Sequence, residues 1–265
     1  MAKVDSLTNV GIFVKDQKRA RDFYTKKLGL KVVGGMPDWG YLELAVKKGA
    51  KDAVLNLWTP KAWGLTAAQA KKKVGGITGL GFYAPNFDGT VAALRKKGVE
   101  VETWEEGQGY KMATVYDPDG NGFFLTAGSR KSKKKPGIAS LDFITISSRN
   151  SKRSGKFFQK TLGMKKEGDD FATYRFSPSG TALMPFTPRK AMYEDPKDYK
   201  NDLAAIGEDT AIMFKTKDAK AAEKRLKSKG VKFDEPVKEQ DWGGVSGNFK
   251  DPDGNLYMLY QPRRR

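Results

Sequence analysis

Apolar and polar positions alternate along this chain in two rhythms, and the same succession of rhythms appears twice. Val10-Gly11-Ile12-Phe13-Val14 is a short apolar run that predicts a strand. Beyond Asp16, a suitable N-cap, Ala20, Phe23, Tyr24 and Leu28 recur at helical spacing. Gly29 then suits the left-handed position that closes a helix. Residues 40–45 and 53–58 read as two further strands, followed by a polar, Lys-rich connection. Leu80-Gly81-Phe82-Tyr83 predicts a strand leading into a helix capped near Asp88 and stopped at Gly98. A hairpin around Asp117-Pro118-Asp119-Gly120-Asn121 ends the series, because Pro presets φ, Asp and Asn bond nearby backbone, and Gly takes positive φ.

Every step returns in the second half. Phe143-Ile144-Thr145-Ile146 predicts the strand, Asn150 the cap, and Phe157, Phe158 and Leu162 the buried stripe before Gly163. Residues 171–176 and 181–184 are the next strands. Residues 211–214 lead to a helix capped near Asp218 and stopped at Gly230, and Asp251-Pro252-Asp253-Gly254-Asn255 repeats the hairpin unchanged. Phe23 to Phe157 and Asp117 to Asp251 are both steps of 134 residues, so two distant landmarks share one offset and the chain is a tandem duplication. The expected class is α+β: a first module over 1–128, a basic linker over 129–137, and a second module over 138–265. Each half holds two β-α-β-β-β groups.

Composition narrows the chemistry. The chain has neither Cys nor His, which removes disulfides, thiolate ligands, Cys nucleophiles, and the commonest metal ligand and neutral-pH base. No apolar run is long enough to span a bilayer and the start lacks a signal-peptide core, so a soluble cytoplasmic protein with no membrane partner is expected. The net charge of +18 is spread over both halves, apart from Arg130-Lys131-Ser132-Lys133-Lys134-Lys135 and Arg263-Arg264-Arg265. Such a field favours anionic ligands and loosely attracts nucleic acid or acidic surfaces.

The segment Asn9-Val10-Gly11-Ile12-Phe13-Val14-Lys15-Asp16, the Phe-Tyr-X-X-X-Leu-Gly helix end at 23–29, Lys97-Gly98-Val99 and the hairpin turn, all matched in the second half, make the chain resemble the vicinal-oxygen-chelate superfamily. That superfamily includes glyoxalase I, extradiol dioxygenases, fosfomycin-resistance transferases and bleomycin-resistance proteins. The resemblance implies that β-α-β-β-β groups pair into an open eight-stranded cup whose hollow face holds the ligand. It also implies a divalent metal held there by His, Gln or Glu. The positions it marks are Asn9, Asn56, Gly79 and Phe124 in the first half, and Phe143, Met184, Ala211 and Met258 in the second. Two neutral amides, two thioethers and side chains without donors make a poor set for a hard ion, so no metal or other cofactor is expected.

Function then rests on the hollow itself. The candidate ligand-binding residues are Asn9, Tyr41, Asn56, Trp58, Trp104, Tyr110 and Phe124 in the first half, and Tyr174, Met184, Trp242 and Met258 in the second. Trp39, Trp63, Trp104 and Trp242 fall in or beside predicted loops, where tryptophans can cover a flat ligand. Glu43, Glu102 or Asp241, with Tyr110 as partner, is the residual acid–base chemistry. The leading expectation is a metal-free protein that binds a small, flat or anionic organic molecule. The alternatives are an enzyme of the same superfamily (a lyase, isomerase or dioxygenase), or an interaction module whose basic linker and tail engage nucleic acid or an acidic partner.

Overall fold

The computed structural model describes residues 3–106, 110–127, 134–169 and 171–263, without the side chains of residues 105, 106 and 110. Residues 129–133 of the expected linker, and Arg264 and Arg265 of the basic tail, lie outside the described residues. From the start the order is β1 (Ser6–Phe13), α1 (Gln17–Asp22), β2 (Lys31–Met36), β3 (Tyr41–Ala45), β4 (Val54–Trp58), α2 (Ala67–Lys73), β5 (Gly76–Tyr83), α3 (Phe87–Lys96), β6 (Val101–Glu106), β7 (Tyr110–Tyr116) and β8 (Asn121–Thr126). The second half repeats it with β9 (Ser140–Ser147), α4 (Ser151–Lys156), β10 (Lys165–Glu167), β11 (Thr173–Arg175), β12 (Ala182–Phe186), α5 (Pro196–Ala204), β13 (Asp209–Lys215), α6 (Ala219–Ser228), β14 (Phe233–Glu239), β15 (Val245–Lys250) and β16 (Leu256–Gln261).

Local chemistry explains most of these boundaries. Asp16, Asn150 and Asp218 cap α1, α4 and α6 by accepting from the backbone N–H three residues on. The cap of α3 is Asn86 rather than Asp88, its carbonyl accepting from Gly89 N–H at 3.1 Å. Gly29, Gly98, Gly163 and Gly230 all take positive φ where the helical runs end. Both α1 and α4 continue as a π-helical turn, over Phe23–Lys27 and Phe157–Leu162. The Lys-rich connection contains α2, and its counterpart contains α5. Neither helix buries a residue, so neither has an apolar stripe to read from the sequence.

Two eight-stranded sheets result, ordered β14-β15-β16-β13-β1-β4-β3-β2 and β10-β11-β12-β9-β5-β8-β7-β6. Each sheet therefore draws strands from both halves of the sequence: the first β-α-β-β-β group shares a sheet with the fourth, and the second with the third. At the joins, β1 runs antiparallel to β13 from Ser6 opposite Lys215 to Val10 opposite Ile212. Likewise β5 runs antiparallel to β9, with Gly81 opposite Phe143. By contact the chain divides into two compact units, residues 1–10 with 145–265, and residues 11–144.

In the unit 11–144, α1 packs on β3 and β4 and covers Leu42, Leu44, Leu55 and Leu57, while Ala20, Phe23 and Tyr24 fill the space beneath it. Each large apolar side chain taken out of water there stabilises the fold by about 1.5–3 kcal/mol. In the other unit α6 packs on β14, β15 and β16, where Ala222, Leu226, Phe249 and Leu259 are buried.

The repeated hairpin turn is a hydrogen-bonded knot. Asp117 accepts from the backbone N–H of Asp119 and Asn121 at 2.8 and 2.9 Å, and from the Asn121 amide at 2.8 Å. Asn121 also donates to Phe13 O at 3.0 Å and accepts from Gly75 N–H at 2.8 Å, tying the turn to β1 and to the start of β5. Asp251 and Asn255 reproduce these bonds in the second copy. The phenol that completes each knot comes from different elements. Tyr24 beside Phe123 donates to Asp117 at 3.0 Å, whereas Tyr257 beside Phe158 donates to Asp251 at 3.2 Å. Tyr and Phe have exchanged places across one contact, and each buried carboxylate keeps one hydroxyl. Burial first, then the adjacent carboxylate, pushes both phenols well above their ordinary range.

Candidate functional site

In each unit helices pack on one face of the strands, α1 on β3 and β4, α3 on β6, α4 on β12 and α6 on β14, β15 and β16, and alternation along the strands assigns side chains to that face or the opposite one. In the unit made of residues 1–10 and 145–265, Asn9 lies opposite Met213, and Met213 beside Met258, in one row across β1, β13 and β16. In the unit 11–144 the equivalent row is Phe143, Gly81 and Phe124, across β9, β5 and β8. The expected positions Gly79 and Ala211 are therefore each displaced by two residues, to Gly81 and Met213. The cause is a break of register between Ile77 and Gly81 and between Asp209 and Met213, centred on positive-φ residues at Gly79 and Ala211.

Those rows do not fit a hard divalent ion. One amide oxygen and two thioethers make up the first row. The second has no donor, since the Phe143 ring fills the space above Gly81 and stacks 6.5 Å from Phe124. Asn56 and Met184, the remaining marked positions, sit on β4 and β12. Among the described residues no group of three or more Asp or Glu side chains is arranged to hold a metal.

Two aromatic clusters in the unit 11–144 take the strand faces opposite those on which α1 and α3 pack. In the first, Tyr41 on β3 and Trp58 on β4 are register partners whose rings stack at 4.1 Å. Trp63 meets Trp58 edge-on at 5.5 Å and Phe13 at 5.6 Å, and remains 43% exposed. The Tyr41 hydroxyl donates to Glu43, whose cross-strand partner is Asn56, a buried amide. In the second cluster Trp104 stands edge-on to Phe124 at 6.1 Å and is 40% exposed. On that same face the Tyr116 hydroxyl donates to Glu102 at 3.0 Å.

The other candidates are placed as follows. Trp104 lies within strand β6, not a loop, because its ring packs against Phe124. Tyr110 opens β7, and its side chain lies outside the described residues. The carboxylates Glu43 and Glu102 pair instead with Tyr41 and Tyr116. Tyr174 is buried on the helix side, against Gly155 of α4 and edge-on to Phe158. Trp242 is exposed in the turn between β14 and β15, its ring over Gly244. Trp63 was expected as a cover over a flat ligand and Phe143 as a marked position, but Phe13 and Tyr116 were not among the expected site residues. Their aromatic character at strand ends was the available signal, but which face they take follows only from register. A cleft of about 270 Å³ beside α3 is lined by Trp104 together with Arg95, Lys111 and Asp88 among others. Its cations are engaged, Arg95 with Val101 O at 2.9 Å and Lys111 with Asp88 at 2.7 Å.

With this geometry in hand, comparison with known proteins is informative. The family profile described as Glyoxalase/Bleomycin resistance protein/Dioxygenase superfamily matches residues 6–125 and again residues 140–259. Glyoxalase I from Zea mays superposes with a TM-score of 0.68 at 19% identity, covering 97% of this chain and 92% of that one. A protein of Bacillus subtilis described as a candidate dioxygenase gives 0.63 at 15% identity, over 99% and 87% of the two chains. At these identities the likeness is one of fold. No curated protein matches the chain.

Proposed function

Because the chain belongs to the Glyoxalase/Bleomycin resistance protein/Dioxygenase superfamily, we propose that it binds a small, flat organic molecule on the strand faces opposite its packed helices, without a metal ion. The observation that carries this reading is the row Phe143–Gly81–Phe124 with Trp104 against it. Where a metal would need carboxylate or imidazole, the chain presents stacked rings, and an indole held by one edge stays partly open to solvent. A planar ligand slotted against such rings gains about 0.5–1.5 kcal/mol per ring contact beyond the area it buries. The net charge of +18 adds a general attraction for anions arriving from solution. Sequestering or sensing such a molecule requires only binding. The reading as a lyase, isomerase or dioxygenase has less support. It needs either a metal set that the two rows lack or an unencumbered base, and Glu43 and Glu102 each already accept a tyrosine hydroxyl.

A thermal-shift and calorimetric panel of planar neutral, anionic and cationic organic molecules tests the proposal. Ligands that stabilise the protein should bind about tenfold more weakly to Trp104→Ala or Trp58→Leu, since losing one ring contact and its buried area removes about 1.4 kcal/mol or more. A panel in which only non-planar compounds bind, or in which neither substitution matters, would sink it.

A further inference from the structure

Resting on that reading, we propose that the cluster of Phe13, Tyr41, Glu43, Trp58 and Trp63 selects a flat organic cation, with Glu43 as its charge partner. Ring faces carry negative potential, and several rings converging beside a carboxylate favour a soft cation over an anion or a neutral molecule. Here Tyr41 and Trp58 stack on each other, and Trp63 packs edge-on against Trp58 while staying partly exposed. Glu43 accepts one hydrogen bond, from Tyr41, and a carboxylate has room for several more. Among the described residues no Lys or Arg forms an ion pair with it.

Three further observations agree. First, the neighbouring strand leaves space for the carboxylate: any side chain at Gly34, the cross-strand partner of Glu43 on β2, would collide with it. Second, the positions sharing this face are Lys31, Gly34 and Met36 of β2, Tyr41, Glu43 and Ala45 of β3, and Asn56 and Trp58 of β4. Lys31, opposite Ala45, is the one basic residue among them, in a chain with 49 Lys and Arg. The surrounding positive field is screened within about 8 Å at physiological salt, so the local carboxylate governs what docks on it. Third, the other copy supplies an internal comparison. Leu44 pairs with Leu55 as Tyr174 pairs with Leu183, which makes Thr173 the counterpart of Glu43. By the same register Phe171 and Phe186 stand for Tyr41 and Trp58. The second copy keeps these two aromatic positions and drops the charge, so the fold does not require a carboxylate there.

The test is calorimetric titration of the full chain at neutral pH with three probes of one shape: N-methylquinolinium, quinoline and quinoline-2-carboxylate. The cation is expected to bind about tenfold more tightly than quinoline, and the anion most weakly. Glu43→Gln should bring the cation down to the affinity of quinoline and leave quinoline unchanged. Trp63→Ala, at an exposed ring, should weaken both. Circular dichroism and the thermal midpoint of each variant establish that it is folded. An anion that binds as tightly as the cation, or a cation indifferent to Glu43→Gln, overturns the proposal. In that event quinoline binding that still depends on Trp63 leaves the broader flat-ligand reading standing. Binding of no probe also overturns it, while planar ligands lost on Trp104→Ala would keep the broader reading at the other cluster.

Discussion

Ala211 holds a backbone conformation, φ 53°, that an L-residue adopts at a cost of about 1 kcal/mol or more, and its counterpart in the first copy is Gly79 at φ 73°. Replacing Ala211→Gly should relieve that strain while adding unfolded-chain entropy, for a net gain of about 0.5 kcal/mol, read as a raised denaturant midpoint. A loss of stability would mean that the methyl group packs usefully. Asp52 offers a second test. Burial raises its carboxyl above the ordinary 3.8, although Leu141 N–H donates to it at 2.9 Å. The folded state therefore holds this proton more tightly than the unfolded one. The stability it contributes is present below pH 3.8 and is lost as pH rises through the folded value. Relative to the wild type, Asp52→Asn should gain thermal stability as pH increases from about 3 to 7, and a flat or falling difference would contradict this. At this scale the helix caps Asp16, Asn150 and Asp218 were legible, because a cap acts on backbone three residues away. The partners of Glu43 and Glu102 were not, because they depend on which strand face each tyrosine occupies.

Among elements, the exchange of Tyr24 and Phe123 for Phe158 and Tyr257 makes a prediction that no single residue could. Tyr24→Phe removes the hydroxyl from buried Asp117 and should cost about 1.5–3 kcal/mol, as expected for a hydrogen bond to a charged group. Adding Phe123→Tyr recreates the arrangement of the second copy. Chemical denaturation of the single and double variants should show recovery of at least about 1 kcal/mol. Additive losses would mean that the two knots differ in more than the origin of their phenol. Strands and helices with an apolar stripe, such as α1, β3, β4 and α6, were readable from periodicity. Exposed α2 and α5 were not, and neither were β2 and β10, since they bury almost nothing that would pattern their sequences.

For the whole molecule, the two rows without a hard donor set predict indifference to divalent metals. Dialysis against a chelator should leave the thermal midpoint unchanged. Added Mn²⁺, Ni²⁺ or Zn²⁺ should raise it by less than about 1 °C, because a ligand stabilises only in proportion to its binding to the native state. Stoichiometric metal surviving dialysis would contradict the proposed function. The sequence by itself determined the duplication, the β-α-β-β-β succession, the hairpin knots and the poverty of metal ligands, because all of these reside in residue types at short or fixed spacing. Which groups share a sheet was decided only by tertiary structure: four similar units present similar edges, and nothing local says which edge meets which. The two-residue displacement to Gly81 and Met213 likewise needed the register break. The gathering of Phe13, Tyr41, Glu43, Trp58 and Trp63 depended on strand register, because a shift of one residue in a strand turns every side chain to the other face.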